Sequence, residues 1–398
     1  MDNGHVLGID IGTSMIKVFI GTLAMDGGVL IAGSGTMPTT GFTKGIITDF
    51  EALAMSIKQA VECAVVATSI SVKNAYIGIG GIEINSLNSV GSIGLSIRDA
   101  ITHEDINRLY QAAVLVGALD EDEVLHILPR NFVLDKQQQL DVPLQQKCAH
   151  LEVEAHLVTI PKIVMNKLID AIEKLGINVI GVVANSVVAM QTLPAISTQK
   201  TLFMDIGAGT TELILYRGRE IYFSTSMPLG GDYITSDIMK GFSISYNHAE
   251  EIKKYYGKLD KNLRGQNIIL DCNDYGTTDK QFAYDFLYDI IESRIDEIIS
   301  LIKDPLKSIA LEEDIEMIFL TGGCGAMPSF ADGVKKMFGV TVEVVTSNEL
   351  PLEYVSPANV ACYGVLTYAV NNIPDGQVVS NNNTWQSLLS RFKKLFNS

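Results

Sequence analysis

Two stretches of this chain, about 195 residues apart, are written to one pattern. Residues 6–21 read VLGIDIGTSMIKVFIG and residues 202–217 read LFMDIGAGTTELILYR. In each, an apolar run delivers an aspartate, Asp10 or Asp205, to a glycine-bearing turn, and the chain returns as a second run of β-formers. Gly12, Gly207 and Gly209 let backbone N–H groups crowd against an anion, and Thr13, Ser14, Thr210 and Thr211 add hydroxyl donors. Two ordinary hairpins of an α/β protein could carry the same letters. Two copies, each set between strand-like runs, point instead to related halves clasping one polyphosphate.

Composition narrows the function classes. At 398 residues and 47% hydrophobic, the chain can bury a sizeable core and is expected to form two or more domains. A net charge of −16 argues against a general nucleic-acid binder, which needs a basic surface to neutralise phosphates. The five cysteines, Cys63, Cys148, Cys272, Cys324 and Cys362, form no C-x-x-C pair, so neither a disulfide framework nor a zinc site is expected and a reducing cytosol is. The opening MDNGHVLGID is acidic, unlike a signal peptide, and no segment approaches the roughly 20 apolar residues of a membrane span.

Read in order, the first turn is followed by a third strand (GGVLIAGSG) and by a helix over 45–68, with Thr48 and Glu51 as a capping box. NAYIGIG, from residue 74, is a buried strand. From residue 82 the texture changes to strand-like pieces at 82–89 and 91–97, a helix starting at Thr102 and further strands at 126–134 and 151–159. That reads as an inserted α+β module. Pro161 and Gly176 bracket a helix over 162–175, followed by a strand over 178–184 and a short helix over 185–193. After the second turn, MPLGGD feeds a helix; further helices are expected at 249–256 and 281–302. IEMIFLTGGCGAM, 315–327, runs a buried strand into glycines that open a helix, a geometry that suits a phosphate or nucleoside. Pro357 opens a last helix through Val370, and a polar linker follows.

The final segment, NTWQSLLSRFKKLFNS, gathers Trp385, Leu388, Leu389, Phe392, Leu395 and Phe396 within an arc of about 120° at helical periodicity. Gln386, Ser387, Arg391, Lys393 and Lys394 take the rest. Such a helix is about 20 Å long, too short to span a bilayer but suited to lying in its interface, cations toward headgroups. A helix docked on the protein's own body is the other reading.

Together these pieces resemble the actin/heat-shock-chaperone/sugar-kinase superfamily and, within it, the family of the bacterial cell-division protein FtsA. The resemblance covers nearly the whole chain. GIDIGTSMIK is similar to the first phosphate motif, KGIITDFEAL to the approach to the first helix, and AYIGIGG to the strand before the inserted domain. ITHEDI, VLHILPRNFVLD and LEVEAHLVT are similar to that domain, which other actin relatives lack. MDIGAGTTEL looks like the second phosphate motif, PLGGDYITSDI like the segment after it, and LTGGCGAMPSF like the adenosine motif.

The resemblance implies an α/β, actin-like (ribonuclease H-like) two-half fold with an FtsA-type inserted α+β domain and a C-terminal amphipathic helix. The implied organisation is residues 1–81, 160–195 and 355–372 as first core subdomain and 82–159 as the insertion. Residues 196–234 and 304–354 form the second core subdomain and 235–303 a partner-binding subdomain, with a linker over 373–383 and a membrane-targeting helix over 384–398. It also implies ATP and Mg2+ bound between the halves, self-assembly into filaments, and attachment to the membrane surface through Trp385, Leu388, Leu389, Phe392, Lys393, Lys394, Leu395 and Phe396. Tethering of FtsZ and contact with other division proteins would then occur on the cytoplasmic side of the cell membrane at the division site, with no nucleic-acid partner.

Carried over by position, Asp10 and Asp205 face the metal and phosphates. Gly12, Thr13, Ser14, Lys17, Gly207, Ala208, Gly209, Thr210 and Thr211 surround the phosphates, and Gly230 and Gly231 close the pocket. Glu250 and Lys253 bracket the nucleoside, with Gly322, Gly323, Cys324 and Met327 at the adenosine. No residue takes a catalytic role. Where the family usually places an acid that activates water, this chain has Asn185, and a neutral amide cannot take the proton. Ala208 and Cys324 replace usual glycines and Glu212 a usual aspartate. ATP binding with weak or absent turnover follows. A PilM-like type IV pilus assembly protein is the alternative within the fold, but it lacks such a tail. A small-molecule kinase would need an acceptor-side base, and a peptide-binding chaperone a further domain.

Overall fold

Each glycine turn joins the first two strands of a five-stranded sheet. The structure, a computed structural model, describes residues 4–25, 27–68, 70–193, 199–218, 220–270, 282–308, 315–347 and 349–372. The linker and amphipathic segment expected from residue 373 onward lie outside the described residues.

Strands β1 (Val6–Ile11), β2 (Met15–Leu23) and β3 (Val29–Pro38) form an antiparallel meander. The two-residue strands β4 (Phe42–Thr43) and β5 (Ile46–Ile47) pair next, and helix α1 (Phe50–Thr68) follows. The expected Thr48 cap is displaced by one residue. The Thr48 and Asp49 N–H groups are both bonded to Gly41 O, and it is Asp49 Oδ1 that accepts the Ala52 N–H at 3.1 Å. Strand β6 (Asn74–Ile79) then pairs parallel to β1.

The insertion follows as β7 (Asn85–Gly94), α2 (His103–Gly117), β8 (Asp122–Leu134), β9 (Gln137–Gln139) and β10 (His150–Pro161). Its sheet runs β7-β10-β8-β9, all antiparallel, over a core of its own that includes Leu109, Phe132, Leu151 and Val153. Thr102 caps α2 in a capping box with Asp105. One continuous strand, β7, replaces the two pieces read between residues 82 and 97; ten residues of pairing with β10 hold a run (NSLNSVGSIG) that has no clean alternation. The chain returns through α3 (Lys162–Glu173), β11 (Asn178–Ala184) and α4 (Asn185–Gln191). Strand β11 completes the first sheet, β11-β6-β1-β2-β3.

The second half repeats that plan. Strands β12 (Lys200–Ile206), β13 (Thr211–Arg217) and β14 (Glu220–Met227) form the meander. Helices α5 (Gly231–Phe242) and α6 (Tyr246–Tyr256), the short pair β15 (Ile269–Leu270) and β16 (Phe282–Ala283), and α7 (Tyr284–Ser308) come next. Then β17 (Met317–Thr321), α8 (Pro328–Phe338) and β18 (Thr341–Val344) give the order β14-β13-β12-β17-β18. Order and strand polarity match the first sheet element for element. Finally α9 (Val360–Asn371) crosses back onto the first sheet, where Tyr363, Val365 and Leu366 are fully buried, each worth about 1.5–3 kcal/mol. Gly8 permits the crossing, since a Cβ there would stand 2.8 Å from the Leu366 backbone nitrogen.

Candidate functional site

The two turns close in the same way. Gly12 N–H donates to Met15 O at 3.2 Å and Gly207 N–H to Thr210 O at 2.9 Å. They also touch: a Cβ on Gly209 would stand 2.6 Å from Thr13 Cγ2. The halves therefore meet turn against turn. Ala208 fits in place of glycine because its backbone is not left-handed. Its carbonyl accepts the Asp232 N–H at 2.8 Å, and Gly207 O accepts the Gly231 N–H at 3.0 Å, so the first turn of α5 is seated on the second glycine turn. Gly230 allows that approach, since its Cβ would stand 2.4 Å from Ala208 O.

Beneath the turns lies an acidic floor. Asp10 and Asp205 end corresponding strands, and across each hairpin stand Lys17 and Glu212 respectively. Asn185 Nδ2 donates to Asp10 Oδ1 at 2.8 Å, and the Lys17 ammonium donates to Ala358 O in the turn that precedes α9. Burial raises the Asp10 carboxyl against the opposing pull of Lys17 and Asn185. Burial and then Asp10 push Asp205 up to about 7, against Lys17. Burial and then Asp205 push Glu212 up to about 8, opposed by hydrogen bonds from Ser186 and the Gly81 N–H. Asp10 and Asp205 thus share one lysine, a balance that an added cation would correct. No three His, Cys, Asp or Glu side chains among the described residues converge as a metal cluster. The donor set suits magnesium all the same, because that ion usually takes one or two carboxylates and completes its shell with phosphate oxygens and water.

On the far side, Gly322 (φ +90°) must be glycine, since a Cβ would stand 2.3 Å from Asp205 Oδ1. Gly323 is exposed, with no atom closer than 3.9 Å to where its Cβ would be. Lys253 is buried and its ammonium is spent within the protein, on Thr235 Oγ1 (2.8 Å), Gly231 O (3.2 Å) and Glu250 (2.6 Å). Burial raises Glu250, but Lys253, Thr235 and Lys254 outweigh it and leave the group low. This pair braces α5 against α6. Cys324 points inward, buried with its thiol pushed up to about 12, and its N–H donates to Ile206 O. Met327 packs at Gly257, where a Cβ would stand 2.8 Å from its Cε.

Most of the expected residues therefore gather where the two halves meet. Thr211 does not offer its hydroxyl there: fully buried, it donates to Leu229 O at 2.8 Å. Ser14 is exposed at the tip of its turn. Sequence reasoning missed Ser186, Gly78, Gly80, Gly81 and Ala358, and registered Glu212 only as a departure. The GIGG run at 78–81 was the available signal: a Cβ on Gly78 would stand 2.2 Å from Asn185 Oδ1, and one on Gly80 1.7 Å from Glu212 Oε1. Two concavities of about 400 and 290 Å3 lie elsewhere, one lined by Arg130, Gln139 and Glu220, the other by Asn88, His156 and Ser224. They follow the seam between the insertion and β14 and lack the paired aspartates.

Comparison with known proteins agrees with this layout. A family model described as cell division protein FtsA matches residues 202–364, and that of the SHS2 domain inserted in FtsA matches residues 81–159. The cell division protein FtsA of Buchnera aphidicola (subsp. Acyrthosiphon pisum) is 29% identical over 357 residues, covering 86% of this chain and 84% of that protein. FtsA of Bacillus subtilis is 28% identical over 378 residues, covering 94% and 85%. Among solved structures, a PilM-PilN type IV pilus biogenesis complex aligns with a TM-score of 0.66 at 17% identity, over 92% of this chain and 98% of that one. MreB 5 of Spiroplasma citri bound to AMPPNP aligns with a TM-score of 0.53 at 12% identity, over 92% and 95%.

Proposed function

This chain belongs to the FtsA family of cell-division proteins and has the actin-like fold, and on that premise we propose that it binds ATP with magnesium between its halves. The observation that carries this is the contact between the two glycine turns, Gly209 against Thr13, above the carboxylates of Asp10 and Asp205. Phosphates enter between the turns, where the N–H groups of residues 13, 14 and 208–210 and the Lys17 ammonium can meet them. Asp10 and Asp205 hold the cation, which would supply charge neutralisation to the phosphates. Gly230, Gly231, Gly322, Gly323 and Met327 border the nucleoside side, while Glu250 and Lys253 act from behind by fixing α5. Turnover is slow because the amide of Asn185 is engaged with Asp10 and can accept no proton from water.

Bound nucleotide favours self-assembly into a filament on the cytoplasmic face of the membrane, where residues 384–398 attach the chain and the region 235–303 recruits FtsZ. Family membership and the amphipathic pattern of the tail support this reading. No helix among the described residues is long and apolar enough to cross a membrane. Calorimetry with Mg·ATP tests the cleft: Asp205→Ala is expected to lower affinity at least tenfold, and unchanged affinity would refute the paired clasp. Vesicle pelleting with and without ATP, with FtsZ added to the same tubes, tests the tether. Absence of both vesicle binding and FtsZ recruitment would favour the pilus-assembly alternative.

A further inference from the structure

The insertion is joined covalently to the first half alone, between β6 and α3, yet its root is held from the second half. Glu212, on β13, reaches out of its own sheet, and its Oε1 accepts the Gly81 N–H at 3.0 Å. Gly81 follows β6 by two residues, where the chain turns into the insertion. The contact depends on Gly80, whose Cβ would overlap Glu212 Oε1 at 1.7 Å. Gly81 is left-handed (φ +113°) and pressed on Gly45, and the neighbouring Ile82 N–H donates to Lys44 O at 3.3 Å. Lys44 in turn donates to Tyr233 OH on α5 at 2.8 Å, a second tie from the root to the second half. At the other end of its reach, Glu212 stands in register opposite Asp205. Ser186, which donates to Glu212, is the neighbour of the Asn185 that holds Asp10. One carboxylate therefore touches both the acidic floor and the root of the insertion.

We propose that Glu212 is a positioning residue that passes occupancy of the cleft by a divalent cation and phosphates to the root of the insertion. This rests on the nucleotide reading above. A cation held by Asp10 and Asp205 would compete with the Gly81 N–H for the oxygens of the Glu212 carboxyl group. Drawn toward the cation, the carboxylate releases Gly81, and the loop over residues 80–84 loosens. That loop leads directly into β7, which Ser86 and Asn88 fasten to the carbonyls of Ser224 and Tyr222 on β14, at 2.6 and 3.3 Å. The insertion is thereby placed to report on the cleft.

Hydrogen exchange on the full chain, with and without Mg·ATP, tests this in samples whose nucleotide binding is measured by calorimetry. In the parent protein, nucleotide should speed exchange over residues 81–84 by about three- to tenfold, the factor expected when one hydrogen bond is lost from a local opening equilibrium. Glu212→Gln keeps an acceptor oxygen for Gly81 but puts an amide NH2, which a cation repels, in place of the second oxygen. Its empty state should exchange like the parent's, and bound nucleotide should leave that rate unchanged. A purely structural Glu212 would leave the acceleration intact in Glu212→Gln, and that result overturns the inference. Gly80→Ala attacks the contact from the other half by displacing the carboxylate. It should exchange fast in both states, and a parent-like acceleration there also overturns the inference. Nucleotide bound by the parent without any change at 81–84 sinks this inference alone, whereas absence of binding sinks it together with the reading of the cleft.

Discussion

At Asn185 an amide stands among carboxylates. Its Nδ2 donates to Asp10 Oδ1 at 2.8 Å, while its Oδ1 is buried without a hydrogen-bond partner, against Gly78. Asn185→Asp would set two carboxyl groups side by side, and they cannot both ionise at that distance. The metal-free variant should lose about 1.5–3 kcal/mol near neutral pH, the scale of a hydrogen bond to a charged group. Part should return on acidification, because the pair then holds a shared proton. Urea denaturation at pH 6 and pH 8 in chelator checks this; equal stability of variant and parent at both would show that the amide does not hold Asp10. The two aspartates and their turns were legible in the sequence because a strand, an aspartate and a glycine turn are encoded within a dozen neighbouring letters. The partners of Glu212 and Lys17 were not, since Gly81 lies 131 residues from the first and Ala358 lies 341 from the second. Local patterning carries no information about which distant backbone group will fill such a contact. Cys324 shows the reverse error, a side chain expected beside the ligand that folds into the core because the turn is fixed by its backbone bond to Ile206.

Among the elements, β10 carries a residue that joins three strands from two sheets. His156 Nδ1 pairs with Asn88 Oδ1 on β7 and Nε2 with Ser224 Oγ on β14, each at 2.8 Å. Burial, and then Arg130 on β8, hold its pKa down at about 4. Between the ordinary histidine value near 6.5 and about 4, the unfolded chain binds a proton that the folded chain refuses. The seam's contribution is therefore complete above pH 6.5 and is lost as pH falls, on the order of 2 kcal/mol by pH 5. His126 on β8, held down to about 3 by burial and accepting the Ala184 N–H at the end of β11, acts in the same direction where the insertion meets the first half. His156→Gln should flatten the loss of stability between pH 7.5 and pH 5 without abolishing it, and should remove the acid-induced rise in exchange over β7 and β14. An unchanged pH slope would mean that the histidine takes its proton without opening the seam. Strands β1, β12 and β13 were readable because they are near-continuous apolar runs buried on both faces, whereas β14, half-exposed and rich in Ser and Thr, was not read. By contrast β7 is rich in Ser, Asn and Gly and owes its length to β10, and α7 runs past its expected end at residue 302 to Ser308, through Pro305. Tertiary pairing and packing decided both.

For the whole molecule, the repeat of one short motif made the two halves legible, and the matching strand orders bear it out. What a sequence repeat cannot state is how the halves touch, because that depends on side chains whose partners lie in the other half. Membrane attachment is likewise a property of the entire chain. Its net charge is −16, and apart from Arg391, Lys393 and Lys394 of the tail it is more negative still, so anionic lipid would repel the body and, on the proposed reading, the tail would supply the attraction. Six large apolar side chains, Trp385, Leu388, Leu389, Phe392, Leu395 and Phe396, would each contribute on the order of 1.5–3 kcal/mol if fully buried, and shallow insertion yields a fraction of that. The three cations add about 1 kcal/mol each near an anionic surface, a contribution that fades with salt. Ordering a helix would offset part of the sum, so one copy would bind modestly and a polymer presenting many copies would bind far more tightly. Deleting residues 384–398 should abolish sedimentation with vesicles while leaving calorimetric ATP binding intact, and Trp385→Glu with Phe392→Glu should nearly match the deletion. Neutralising only Arg391, Lys393 and Lys394 should weaken binding mainly on anionic lipid. A truncated chain that still pellets with vesicles would make the tail a docking helix, and the tether would fall with it.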